Sequence, residues 1–445
     1  MSDLRTVGIM DILAARDERV AAQTALREKH GAAVVSFTMN IPGSIKYDAA
    51  IHRAFSVGAE AILDALARMS APVLDVWRKV AFTGCEQIWA VSADPAALKS
   101  AMSRLEDMHP LGRLFDIDII APNGEKLSRD SAGIERTCLI CGGPVRACAR
   151  SRAHSAEELF ARAHALIDDY FVQKDAEFIG LCAQRALLTE AIVTPKPGLV
   201  DRENSGAHDD MDLFTFADSA CVLRNYFETC ARIGLTCREE PAAIFERLRF
   251  HGCAAENDML RITRGVNTHK GALFSLGILA CAAAMPGDIF DNATRVARAS
   301  LGDFEKLSPD SAATAGEKQY LSMKLTGARG EAASGFPTVR NIALPALETA
   351  LESGASLNDA ALAALLALMA RVDDSNVIKR GGPAARDSVK AAAASVSPRD
   401  HAALRNLNEA FTRLNISPGG CADLLACALF VRWVRGRGDA QGLRP

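Results

Sequence analysis

The chain has 445 residues, with 51 basic and 54 acidic side chains and a formal net charge of −3, which excludes a body that holds nucleic acid by phosphate neutralisation alone. Hydrophobic residues at 49% and charged residues at 24% exclude a disordered chain, and 6% aromatic content favours helix over a β-sandwich. The length provides for two or three domains, each able to bury a core.

The 12 cysteines are scattered through apolar or mixed stretches, as at Cys182, Cys221, Cys281 and Cys427, and read as reduced thiols of a cytoplasmic protein. Asp3, Arg5, Asp11, Arg16 and Asp17 precede any long apolar run, so no signal peptide is expected. The longest apolar run, Leu273 to Met285, is too short to span a bilayer. A soluble protein with neither membrane nor nucleic acid as partner is the expectation.

Along the chain, Arg16 to Lys29 predicts a charged helix stopped by Gly31, and the β-branched run Ala33 to Met39 predicts a strand. Tyr47 to Met69 has helical spacing and Glu86 to Ser92 has a strand pattern. Asp94-Pro95 opens a further helix, with Asp at the cap and Pro in the first turn, and Arg113 to Ile120 predicts a third strand. Residues 1–172 are thus expected to form an α+β domain, a mixed sheet with flanking helices. From Ser155 the pattern is helical nearly to the end, so residues 173–445 are expected to be all-α, with a tight join within Phe171 to Glu177. Gly/Pro-rich breaks at Thr194 to Gly206, Gly327 to Pro337, Gly381 to Pro383 and Ser417 to Gly420 separate its helices.

Within Arg113 to Ile120, Asp116 and Asp118 share a strand face while Phe115 and Ile117 point to the core. Paired hard carboxylates at that spacing suit Mg²⁺ carrying a di- or triphosphate, though alternating Asp can also mark a solvated face. Arg113, Arg129, Arg136, Arg150, Arg152 and His154 could line a phosphate path. Cys138-x-x-Cys141 with Cys148 and His154 has the look of zinc-ligand spacing. Its intervals are irregular and no second Cys-x-x-Cys exists, so a packed thiol-rich loop is expected there and zinc is not.

Arg16-Asp-Glu-Arg19, Val35-Ser-Phe-Thr38, Pro42-Gly43, His109 to Ile119, Ser128-Arg129, Arg136-x-Cys138-Leu-x-Cys141 and Cys148-Ala-Arg150 together resemble the apo-citrate lyase phosphoribosyl-dephospho-CoA transferases. The resemblance runs over about Asp11 to Tyr170. It implies attack of a serine of the citrate lyase acyl carrier protein (the γ subunit) on the α-phosphorus of the precursor, with diphosphate leaving. Asp116 and Asp118 would serve as magnesium ligands.

In the second half, polar segments interrupt the helices. Thr194 to Asp212 packs Lys196, Asp201, Arg202, Asn204, His208 and Asp210 into one loop, which a purely structural connection does not require. Glu256-Asn-Asp258 precedes Gly265-Val-Asn267-Thr-His269-Lys270-Gly271, where a helix N-terminus offers an anion site. Gly327-Ala-Arg329-Gly-Glu331, Asp374-Ser-Asn376 with Arg380, and Ser417-Pro-Gly-Gly-x-Ala-Asp423 complete the set. No Walker A loop, dinucleotide fingerprint or His-Glu-x-x-His helix occurs. Glycine-rich breaks are often only caps, but five such segments in one helical body favour a magnesium-nucleotide pocket at the helix ends.

The same segments resemble the triphosphoribosyl-dephospho-CoA synthases over about Leu187 to Phe430, with Asp374-Ser-Asn376 standing where Asp-Thr-Asn is expected. The resemblance implies a reaction of ATP with 3′-dephospho-CoA, whose ribose 2′-hydroxyl displaces adenine and leaves the triphosphate intact. Lys196, Arg202, Lys270, Arg329 and Arg380 would then bind triphosphate, with Asn204, His208, Asn267, His269 and Asn376 as further substrate contacts. Metal or base work would fall among Asp201, Asp210, Glu256, Asp258, Glu331 and Asp374. Together the two resemblances imply one bifunctional transferase. The equivalent service to a malonate decarboxylase carrier, or a non-catalytic carrier-binding assembly factor, are the alternatives.

Overall fold

The computed structural model describes residues 5–127, 137–302, 320–321 and 326–441. The chain divides into two compact units, Met1–Phe171 and Val172–Pro445.

In the first unit, α1 (Ile9–His30) ends at Gly31, whose φ of 59° closes the helix in the left-handed conformation. It is followed by β1 (Ala33–Met39), α2 (Ala49–Arg68), β2 (Val73–Ala81), β3 (Gly84–Val91), α3 (Pro95–Met108), β4 (Phe115–Ile120) and β5 (Lys126–Leu127). The sheet order is β2-β3-β1-β4-β5. β1 is central because its residues Ala33 to Phe37 are apolar or small enough to be buried on both faces. Val35 and Phe37 join Phe55, Ile62, Trp89 and Ile117 under α2 and α3, whereas Val34, Ile88 and Ala90 meet Leu26 of α1 on the opposite face.

Every pairing among the described strands is antiparallel, which corrects the expected mixed sheet. The cause is the tight β2–β3 hairpin. It turns β3 back into the place beside β1, so the strands linked through helices never become neighbours. The β1-α2-β2-β3-α3-β4 order is that of a ferredoxin-like split βαβ arrangement.

The second unit has no described strand. Its helices include α6 (Leu213–Thr236), α7 (Pro241–Ile262), α8 (Lys270–Ala284) and α9 (Ile289–Ala297), after α4 (Val145–Ser151) and the long α5 (Ala156–Ile192), within which the boundary between units falls. Then come α10 (Gly327–Ala333), α11 (Leu344–Glu352), α12 (Leu357–Met369), α13 (Ser375–Ser395), α14 (His401–Arg413) and α15 (Gly419–Gln441). α8 sits inside the bundle, packed by α6, α7 and α15, so it is apolar on nearly every side. Even so, no described helix is long and apolar enough to cross a membrane.

Two expected breaks are different in kind. Gly327 to Pro337 contains the short helix α10, whose Ala content supports nearly two turns of helix despite two glycines. Gly381 to Pro383 is a kink inside α13. Gly382 takes φ 72° there and Pro383, lacking an amide hydrogen, restarts the helix.

Candidate active sites

On β4, burial alternates, so Phe115, Ile117 and Ile119 are buried while Asp116 and Asp118 emerge on the other face. Asp116 lies opposite Thr38 and Asp118 opposite Ser36 on β1. Lys126 Nζ is 2.7 Å from an Asp118 carboxylate oxygen. Thr38 is also in register with Glu86 of β3, which places a third carboxylate on this face. Arg19 of α1 pairs with Glu86 Oε1 at 2.9 Å, and Oε2 is buried with no partner among the described residues. Burial pushes the Glu86 carboxyl up, with Arg19 opposing. Sequence reasoning passed over Glu86. Its signal was an acid in phase with Ile88 and Ala90, on an otherwise apolar strand face.

The Arg113 guanidinium donates to the Thr137 carbonyl, and Arg150 is exposed on α4. Arg129 and Arg136 lie outside the described residues. One ligand atom each of Cys138, Cys141, Cys148 and His154 lies within 4.8 Å of all the others.

In the second unit, a cavity of about 1200 Å³ opens where the N-termini of α8, α13 and α15 converge. Their dipoles make its wall positive before any side chain is counted. Lys196, Lys270, Arg329, Arg371, Lys379 and Arg380 line it, together with Glu190, Asp210, Glu331, Asp373, Asp374 and Asp423. His208, Asn267, His269 and Asn376 also face it.

Lys196 is 1% exposed, yet its ammonium is neutralised by Glu190, 2.5 Å from the carboxylate and 2.6 Å from the carbonyl. A buried pair satisfied this closely fixes the loop geometry. Asp201 serves that loop directly. Oδ2 accepts from the Lys196 amide at 2.9 Å, and Oδ1 accepts from the amides of Glu203 and Asn204 at 2.7 and 3.0 Å. Gly198 is required there, at φ +75°, because a Cβ would meet the Ile416 carbonyl at 2.3 Å.

His269 Nδ1 is 2.7 Å from Ser219 Oγ, which accepts from the Thr268 hydroxyl at 2.8 Å. With Ser219 donating to Nδ1, the imidazole proton would sit on Nε2. Nε2 is buried with no partner among the described residues. Burial, then the Lys196 charge, pulls His269 down to about 3.

Asp374 caps α13 through the amides of Asn376 and Val377 at 2.8 and 3.2 Å, and its other oxygen takes the Cys421 amide at 2.9 Å. It therefore ties two of the converging helix ends together. Glu331 is held by the Thr338 amide and hydroxyl at 2.7 and 2.8 Å. Arg380 donates to the Ala207 carbonyl and to Asn415, at 2.9 and 2.8 Å. His208 lies between Arg380 and Ser417, and burial lowers its pKa. Asp423 approaches the start of α8 so closely that a Cβ on Gly271 would stand 2.0 Å from its Oδ2. Burial first, then Glu190 and Asp374, pushes Asp423 well up.

The remaining sequence candidates are placed apart from the cavity lining. Arg202 bonds Thr194 and Asn358, and Asn204 bonds Gly206 and Asn408. Asp258 is exposed and pairs with Arg261 on α7. Glu256 reaches the site only through its ion pair with Lys270. Glu190, Arg371, Asp373 and Lys379 were not singled out from sequence. Asp423 was noted within its string but given no role.

Residues 7–170 match the family described as apo-citrate lyase phosphoribosyl-dephospho-CoA transferase, and residues 176–441 match the ATP:dephospho-CoA triphosphoribosyl transferase family. Protein CitXG of Leuconostoc mesenteroides subsp. cremoris is 32% identical over 459 residues, spanning 96% of this chain and 97% of that protein. The chain belongs to the CitXG family. Protein CitXG of Haemophilus influenzae is also 32% identical, over 97% of both chains. A probable 2-(5′′-triphosphoribosyl)-3′-dephosphocoenzyme-A synthase of Pectobacterium carotovorum subsp. carotovorum is 41% identical over 280 residues, 60% of this chain and 92% of its own. A CitXG-type chain is a bifunctional transferase of citrate lyase prosthetic-group biosynthesis and attachment, with the attaching part first and the synthesising part second.

Proposed function

We propose that the helical unit, residues 173–445, joins ATP to 3′-dephospho-CoA with loss of adenine, and that residues 1–172 pass the product to a serine of the citrate lyase acyl carrier protein. The observation that carries the first assignment is the cavity's division of charge. Helix N-termini with Lys270, Arg329, Arg371, Lys379 and Arg380 suit a triphosphate that stays intact. Deeper carboxylates at Glu190, Asp374 and Asp423 suit positive charge developing at the ribose C1 as adenine departs.

The crowded carboxylates make sense in this reading. The Asp423 pKa is raised first by burial and then by its negative neighbours, whose field favours a cationic centre beside it. Asp423 is the leading candidate to take the 2′-hydroxyl proton or to hold the metal. His269 offers an Nε2 proton to a substrate acceptor. Lys196 acts by holding the Glu190 carboxylate and the loop in place.

The oxygen donors fit Mg²⁺. No closed carboxylate cage is assembled among the described residues, and Mg²⁺ with a nucleotide is typically held by one or two carboxylates plus phosphate. Asp423 and Asp374 would hold it in the helical unit, and Asp116 and Asp118 in the first. Its chemistry there is to neutralise phosphate charge. The chain's own residues orient the triphosphate and accept protons.

The test is to incubate the full chain with ATP, Mg²⁺ and 3′-dephospho-CoA and to separate the products. Free adenine without ADP or AMP is expected. Addition of apo acyl carrier protein should then raise the carrier's mass by the phosphoribosyl-dephospho-CoA group and release diphosphate. ADP in place of adenine would overturn the displacement reading.

A further inference from the structure

We infer that Cys138, Cys141, Cys148 and His154 form a structural zinc site in the first unit. Three sulfurs and a ring nitrogen, all within 4.8 Å of one another, form a Cys₃His set of the size that one tetrahedral ion draws together. With Zn–S bonds of about 2.3 Å, ligand atoms of such a shell stand about 3.8 Å apart. The Cys141 and Cys148 sulfurs are 3.4 Å apart, within hydrogen-bond reach but too far for a disulfide.

The backbone around the sulfurs has the form of a metal knuckle. The Ile140 amide points at Cys138 Sγ from 3.5 Å, and the Gly143 amide bonds Cys141, so each cysteine of the Cys-x-x-Cys pair takes an amide two residues on. Such amides stabilise thiolate charge and orient metal-bound sulfur. The turn is closed by Cys138 N–H to the Gly143 carbonyl at 2.6 Å and Gly142 N–H to the Cys138 carbonyl at 3.1 Å. Gly142 takes φ 71° to permit it. Cys148 comes from α4, and His154 from the residues just before α5.

All four positions would be filled by protein, so the ion would be structural, with no open place for substrate. Its effect is local. The Thr137 carbonyl, one residue before Cys138, accepts from Arg113, which leads into the strand of Asp116 and Asp118. The clip would therefore anchor α4, with Arg146 and Arg150, near that strand. The reactive-thiol alternative has to contend with a histidine and three sulfurs already gathered.

The experiment uses the full chain without a metal-binding tag, purified under reducing conditions and gel-filtered free of loose metal. Elemental analysis should give about one zinc per chain. The Cys141→Ser/Cys148→Ser variant should lose it, whereas Cys221→Ser/Cys253→Ser, at exposed thiols of the other unit, should keep it. Because the first variant could misfold, cobalt exchange is measured on the unaltered chain. The thiolate-to-cobalt charge-transfer band of a tetrahedral site should appear, and adenine release should be unchanged. Absence of zinc and of the cobalt band after anaerobic reconstitution would overturn the inference. So would zinc retained by the Cys141/Cys148 variant, or a native mass lighter by two hydrogens from a Cys141–Cys148 disulfide.

Discussion

Asp423 and Asp258 are both acids in polar strings of the helical half, yet their surroundings give them opposite prospects. Asp423 is in the cavity wall, with burial first and then Glu190 and Asp374 raising its pKa, whereas Asp258 is exposed and bonded to Arg261. Asp423→Asn should lower adenine release at least 100-fold, about 2.7 kcal/mol in the barrier, with helicity unchanged by circular dichroism. Asp258→Ala should stay within about twofold, since a surface pair contributes little. His269 supplies a pH test with a definite sign. Held neutral down to about 3 in the fold, it is protonated in the unfolded chain below about 6.5. Acid then favours unfolding: this group costs nothing above pH 6.5, and below it removes up to about 1.4 kcal/mol per pH unit until about pH 3. Urea unfolding followed by far-ultraviolet dichroism should show a steeper loss between about pH 7 and pH 5 in the native chain than in His269→Gln. Equal slopes would show that His269 is not held neutral.

At the level of elements, the cavity of the helical unit depends on how closely α15 approaches the first turn of α8. Gly271 leaves the space that Asp423 occupies, and a Cβ there would stand 2.0 Å from its carboxylate. Gly271→Ala should therefore cut adenine release by about tenfold or more while the helix, gaining a better former, keeps its melting temperature. Gly436→Ala in α15, with nothing within 4 Å of the new carbon, should change neither. This dependence explains what the sequence could disclose. The central strands were legible because β1 and β4 are β-branched or alternate cleanly, and Asp116 with Asp118 followed from period two. β2 was not, because as an edge strand it carries Asp75, Arg78 and Lys79 and leaves Val76 and Val80 exposed, blurring the alternation. The polar loops of the helical half announced the cavity, but their density did not separate roles. Asp201 stands amid the richest string and closes a turn. Glu190, one of several acids along α5, becomes significant only when the loop returns Lys196 to it.

The whole molecule joins two units, each with its own buried core. The Pectobacterium synthase covers 60% of this chain with 92% of its own length, about the share that the helical unit's family model takes. Independent cores and independent sites predict that the activities can be lost separately. Asp116→Asn should stop carrier modification and leave adenine release intact, while Asp423→Asn should stop adenine release yet still modify the carrier when given the preformed intermediate. The joining of units raises the local concentration of the intermediate. An equimolar mixture of the two variant chains, given ATP, Mg²⁺, 3′-dephospho-CoA and apo-carrier, should therefore regain the carrier's mass shift. Dilution should slow the mixture more than the unaltered chain, because the intermediate must then reach a second molecule. A mixture that makes adenine yet never modifies the carrier would mean that the intermediate passes only within one chain.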